Sequence, residues 1–250
     1  MSPVVREEPS AWGARLRGAA TAGELSDLPF VQQPAWAASK ALTGWESVRL
    51  VAQDGAAWAG AQLLLQRLPA GLGRIAYAPR GPIVVAPHAE QAATLRAELL
   101  RGLTELRSDG VTLVRLEPGE SAPLPDEADQ VNPADGLSAD LRAPWLAAAT
   151  SSRTSLHRAR PVQPSTSRRI DLTAGMETVR AAWRSKWRQY ARHATESGVT
   201  VRAVGADGAD ALYTAMTSIS GRTGVKTRSS AAFAHIVNAF NGEAEILIAE

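Results

Sequence analysis

The 250-residue chain contains no cysteine, which excludes disulfides, zinc–thiolate sites and thiol nucleophiles. Lysine is nearly absent too: of 27 cations only Lys40, Lys186 and Lys226 are lysine. With abundant alanine, that bias reflects a GC-rich coding sequence more than function. No stretch approaches the roughly 18 uncharged apolar residues that span a bilayer. The opening run MSPVVREEPSAWGARLRG lacks the continuous apolar segment of a secretory leader, so the expected location is cytoplasmic. The four histidines have neither metal-ligand spacing nor a Ser/Asp partner pattern. There is no G-x-S-x-G elbow, no phosphate loop ending in Gly-Lys-Ser/Thr, and no Arg/Gln-x-x-Gly-x-Gly/Ala run of the acyl-CoA type. Acyl-enzyme and conventional acyl-CoA chemistry are disfavoured, and neither a cofactor nor a metal is expected.

What is present is ordinary in bulk and uneven in distribution. Hydrophobic content of 45% and charged content of 21% suit a soluble globular protein of one large or two small domains. The net charge of +2 hides a segregation. Glu117 to Asp140 holds seven acids and no base, whereas Arg153 to Arg202 holds eleven Lys/Arg against three acids. The second region therefore suits an anionic partner, or a solvated basic surface.

The pattern along the chain is a mixed α+β one. Pro34 in FVQQPAWAASKALTGW marks a helix start. SVRLVAQ and AAWAGAQLLLQRL flank Asp54-Gly55, a hairpin signal. GRIAYAPRGPIVV reads as a strand leaving through a Pro- and Gly-punctuated loop. Leu95, Leu99, Leu103 and Leu106 recur as the apolar face of a helix that Gly110 stops, and VTLVRLEP follows as a buried strand. Residues 117–165 read as a linker with one short helix near Trp145. A second block predicts a strand at SRRIDL, one long helix over Met176–Ser197 and a strand at VTVRAV. Helices near Asp210–Ser220 and over AAFAHIVNAF follow, then a last strand at AEILIAE. The expected domains are 1–150, including the acidic linker from about 117, and 151–250.

Four stretches carry candidate chemistry. In YAPRGP, Pro79 and Gly81-Pro82 hold the backbone on both sides of Arg80, which pre-positions one guanidinium or simply makes a turn. In WAASK, Lys40 lies four residues after Trp36 on one helix face. GRTGVKTR places Arg222, Lys226 and Arg228 in a glycine-broken loop before a helix, a phosphate-binding geometry or a solvated basic loop. In WRSKWRQYARH, Trp183, Trp187 and Tyr190 share one helix face, expected to be buried. Arg184, Arg188 and Arg192 form an exposed stripe beside it, open to phosphates and hence to tRNA.

FVQQPAWAASKALTGW, AYAPRGPIV, LVRLEP, RQYARHATESGVTV and ISGRTGVKTRSSAAF occur in the order seen in the FemABX aminoacyltransferases, which this chain resembles from about residue 29 to 250. The resemblance implies tandem GNAT-like domains, the second of them incomplete. It implies transfer of an amino acid from aminoacyl-tRNA to the stem-peptide amine of lipid II or its UDP-linked precursor. The cell wall would be the beneficiary, with peripheral contact at the inner membrane face. By the same resemblance Lys40 and Arg222 contact precursor phosphates, and Tyr77 and Arg80 belong to the substrate site. Glu117 stands where the family commonly has an Asp near the acceptor. A lysine thought to assist the family's reaction falls beyond residue 250, so no catalytic residue is assigned. Lys40 and Arg222 are expected to face one cleft. Glu250 follows an apolar β-type run directly, which predicts a truncated product with an exposed strand edge, low solubility and little activity. Two other functions remain open on the residues alone: a basic RNA-binding module without catalysis, and an acyltransferase using another donor.

Overall fold

The computed structural model describes residues 4–25, 28–119, 139–164, 170 and 172–250. It divides into two compact units, Met1–Ser165 and Thr166–Glu250. The first is built on a six-stranded mixed sheet of β1 (Val5–Arg6), β2 (Glu46–Asp54), β3 (Ala57–Arg67), β4 (Arg74–Ala78), β5 (Ile83–Val85) and β6 (Val111–Leu116). The order is β1-β2-β3-β4-β6, with β5 also on β3. All pairings are antiparallel except β4 with β6. β6 is not the buried strand expected: it lies at the sheet's edge, with Leu113 51% exposed. The expected hairpin forms, with Asp54 opposite Ala57. Gly55 takes φ +60°, which the first central position of a type II′ turn requires and only glycine adopts readily.

Helices cover both faces of the sheet, which is why β3 reads as apolar almost throughout rather than alternating. On one face α1 (Pro9–Thr21) sets Trp12, Leu16 and Ala19 against Val51, Trp58, Ile83 and Val85. The Trp12 and Trp58 rings meet edge to face at 5.7 Å. α2 (Pro34–Ala41) begins at Pro34, as its sequence predicts. On the other face α3 (Ala89–Thr104) buries Leu95, Leu99 and Leu103 beside Trp145, Ala148 and Ala149 of α4 (Ala139–Ser152). A short 3₁₀ turn extends α3, and Gly110 at φ +76° ends it.

Two successive segments pair with β3 on one side. Tyr77 of β4 faces Leu64, and Ile83 of β5 faces Gly60. Pro79–Pro82 leave the sheet between them, so residues 61–63 meet no strand partner there. The Gln32 side chain fills the gap. Its Oε1 accepts from the Gln62 N–H at 2.8 Å, and its Nε2 donates to the carbonyls of Gln62 at 3.2 Å and Pro79 at 2.7 Å. Gln62 in turn donates to the Gln33 carbonyl at 2.9 Å and accepts from Arg49 Nε at 3.0 Å. Both glutamines are fully buried, where each amide group must find a partner.

In the second unit α5 (Gly175–Ala181) and α6 (Ser185–Glu196) precede β7 (Val201–Val204). α7 (Ala209–Thr223), α8 (Ser230–Ala239) and β8 (Ile246–Ala249) follow. β7 and β8 form a two-stranded antiparallel sheet. The SRRIDL strand expected over 167–172 lies almost wholly outside the described residues. The single long helix expected over Met176–Ser197 is two helices, because Arg184 is extended at ψ 147°. Arg188 stabilises the break, donating to the carbonyls of Ala181 at 3.0 Å and of Trp183. The buried aromatic face expected there is also corrected: Trp187 is 63% and Tyr190 51% exposed, and Trp183 is half-buried. The described residues of this unit bury only Val179, Ala209, Phe240 and Ile246 among large or apolar side chains, too small a core to take in an indole.

Candidate functional site

Because β4 and β6 run parallel, their carboxyl ends lie side by side, the end at which parallel strands commonly present groups to ligands. The register sets Tyr77 beside Arg115 and Ala78 beside Leu116. Glu117 follows, its N–H shared between the carbonyls of Ala78 at 3.1 Å and Gly81 at 3.0 Å. Its carboxylate accepts from four donors of three kinds. Tyr77 Oη gives one bond at 2.8 Å and Arg115 Nε another at 3.1 Å. The backbone N–H groups of Val162 and Gln163 approach its two oxygens at 2.7 and 3.0 Å. Gln163 Nε2 also donates to Tyr77 Oη at 3.1 Å.

Two guanidiniums, one of them bonded to this carboxylate, hold the same segment. Arg115 donates to the Arg160 carbonyl, and Arg80 donates to the Pro164 carbonyl at 2.7 Å. Arg80 stands at φ +49°, in a region that non-glycine residues rarely occupy. The loop is held there by the Gln32 amide on Pro79 and by lack of room. A Cβ on Gly81 would fall 2.6 Å from Gln32 Nε2, and one on Gly119 2.8 Å from the Arg80 carbonyl.

Burial pushes the Glu117 carboxyl upward, but the amides of Val162 and Gln163, the Tyr77 hydroxyl and Arg115 outweigh it. Its pKa therefore lies below the usual value. Burial pushes the Tyr77 phenol up, and the Glu117 charge adds to that. The pair is thus held as phenol and carboxylate. A carboxylate so stabilised is a poor proton acceptor; it is suited to holding N–H donors and cations.

Of the residues the sequence singles out, Tyr77, Arg80 and Glu117 come together around residues 160–164. Lys40 is on α2, half-buried, its ammonium 4.7 Å above the Trp36 ring. Arg184, Arg188, Arg192 and Arg222 are exposed residues of the second unit. Arg222 belongs to the last turn of α7 rather than to the glycine-broken loop expected for it, since the helix runs through Gly221 and stops at Gly224, φ +72°. The sequence reading missed Gln32, Gln62, Arg115 and Gln163. Gln62 carried a signal, as an amide in the middle of the otherwise apolar run Ala57–Leu65. Arg115 carried one as well, two residues before Glu117 and so on the same side of a strand.

A family model described as the FemAB family matches residues 23–250. Among solved structures the chain is similar to one described as "Crystal structure of FemX", with a TM-score of 0.71 and 17% sequence identity. That match covers 99% of this chain and 57% of the other, so the chain spans little more than half the length of that protein and shares its fold. A structure described as "a probable acetyltransferase" matches at a TM-score of 0.31 and 14% identity, over 52% of this chain and 84% of that one. No curated protein matches significantly.

Proposed function

The chain belongs to the FemAB family, and from that premise we propose that it transfers an amino acid from aminoacyl-tRNA to the stem-peptide amine of a peptidoglycan precursor, lipid II or its UDP-linked form. The amine nitrogen attacks the ester carbonyl carbon and a C–N bond forms. The ester C–O bond then breaks, and the tRNA hydroxyl leaves with the proton the amine sheds. Such a step needs a positioned neutral amine and stabilisation of the developing oxyanion, not a protein nucleophile. A chain without cysteine or a nucleophile elbow is consistent with that.

The observation that carries the reading is the cluster of Tyr77, Arg80, Arg115 and Glu117 at the ends of two parallel strands, inside the family-matched residues. Glu117 positions the acceptor through charge, and Lys40 and Arg222 bind its phosphates. Arg184, just before α6, and Arg188 and Arg192 on it contact the tRNA backbone, with Trp187 and Tyr190 of α6 as stacking surfaces. The reading implies a cytoplasmic protein that meets the inner membrane face when its acceptor is lipid-linked.

The test is to incubate the chain with bulk charged tRNA carrying labelled amino acids and with each precursor in turn. Amide-linked label in the precursor, dependent on the protein, is the expected result. The exposed aromatics and cations of α6 also favour a second reading, an RNA-binding module without catalysis. Salt-sensitive RNA binding with no transfer to either precursor would select it.

A further inference from the structure

The Glu117 cluster is not empty; the chain's own residues 160–164 fill it. The contacts are almost all to main chain. One carboxylate takes two successive N–H groups, those of Val162 and Gln163. Arg115 and Arg80 take the carbonyls of Arg160 and Pro164 at either end of the segment. Only Gln163 adds a side-chain bond, to Tyr77. An acceptor flanked by two donors at this spacing reads peptide backbone without regard to side chains. The segment is otherwise largely open to solvent: Arg160, Val162 and Pro164 are exposed, Val162 at 60%.

We propose that Tyr77, Arg80, Arg115 and Glu117 form a subsite for peptide main chain, that residues 160–164 occupy it in the resting protein, and that an incoming peptide displaces them. The proposal rests on the reading that the acceptor carries a peptide, and it adds a condition to that reading. The acceptor engages Glu117 only after the segment has left, so its apparent affinity is reduced by the fraction of molecules in which the segment is seated. The two ligands use the same donors and acceptor and exclude each other.

The probe is a synthetic lysine-containing stem pentapeptide, and the protein is the whole chain. Amide hydrogen exchange is followed at Val162 and Gln163 with and without saturating peptide. Both amides are protected in the free protein and lose protection when peptide binds. In parallel, Val162→Pro removes one of the two N–H donors without altering the cluster, and calorimetric titration compares it with the unaltered chain. The variant binds peptide more tightly, by about threefold or more, whereas Glu117→Gln binds it more weakly. Unchanged protection at saturation, or no peptide binding by either the unaltered chain or Val162→Pro, overturns the proposal. The exchange measurement needs no variant, so a misfolded Val162→Pro does not shelter it. Transfer to precursor with unchanged protection removes the subsite and leaves the proposed function standing. Peptide that displaces the segment without any transfer does the reverse.

Discussion

The Tyr77 hydroxyl donates a 2.8 Å hydrogen bond to the Glu117 carboxylate from the neighbouring parallel strand. The bond fixes the protonation of both partners, since the phenol must keep its proton to donate it and the carboxylate must lack one to accept it. It also ties the two strand ends to residue 163, which bonds to both partners.

Tyr77→Phe keeps the ring and removes that donor. Equilibrium urea unfolding should show a loss of about 1–2 kcal/mol, the scale of a partly buried bond to a charged group. The Glu117 carboxyl, observed by NMR, should titrate at higher pH than before. An unchanged titration would mean the phenol does not stabilise the carboxylate.

The lowered pKa of Glu117 has a consequence at acid pH. A group whose folded pKa lies below its unfolded one adds stability that is fully present above the unfolded value and is lost as pH falls through the folded value. The protein should therefore lose stability as pH falls through and below the ordinary carboxylate range, and part of that slope belongs to Glu117. Glu117→Gln should be less stable at neutral pH and show a shallower acid limb. Parallel acid limbs for the two proteins would exclude Glu117 as a source of the slope.

Gln32→Leu tests the amide that stands in for a strand. It strips partners from the Gln62 N–H and from the Pro79 carbonyl, both on fully buried residues. The expected loss is about 3 kcal/mol, because several buried polar groups lose partners together. A loss below that of an ordinary surface substitution would show that water replaces the amide.

Hydrogen exchange should separate the two units. Amides of β2 and β3, covered on both faces, should exchange slowest. Those of α6, β7 and β8 should exchange orders of magnitude faster, because their unit buries few apolar side chains among its described residues. Comparable protection in both units would show that the small core of the second is not what sets its stability.

Lys40→Ala and Arg222→Ala should each weaken binding of the UDP-linked precursor by about 1.5–3 kcal/mol, tenfold or more, if each makes one charge-assisted contact to phosphate. Titration with UDP alone should show the same losses. Unchanged affinity in both variants would remove the phosphate assignment.

Local patterns were legible wherever a short-range rule decides the outcome. The Leu95–Leu99–Leu103 spacing, the Gly55 turn and Pro34 at a helix start each depend on residues within one turn of one another. The break in the predicted helix over 176–197 was not legible, because an arginine several residues onward satisfies the freed carbonyls. Nor was the fate of Trp187: helical spacing defines a face but not what lies opposite it. Tyr77, Arg80 and Glu117 could be named from motifs. Their occupant could not, since the bonds between Glu117 and residues 162–163 span 45 and 46 positions of sequence and use main-chain atoms that carry no residue-specific signal.

The fork in β3 also constrains how the turn carrying Arg80 can change in length over evolution. Tyr77 to Ile83 is six steps along the outer path, while the facing residues Leu64 to Gly60 are four. The surplus is two residues, and an even surplus preserves the alternation of sides along the strand. A single-residue insertion or deletion between Pro79 and Pro82 would turn Ile83 and Val85 away from Trp12 and Trp58 and bring Val84 round in their place. Related chains should therefore vary this turn in steps of two, or not at all.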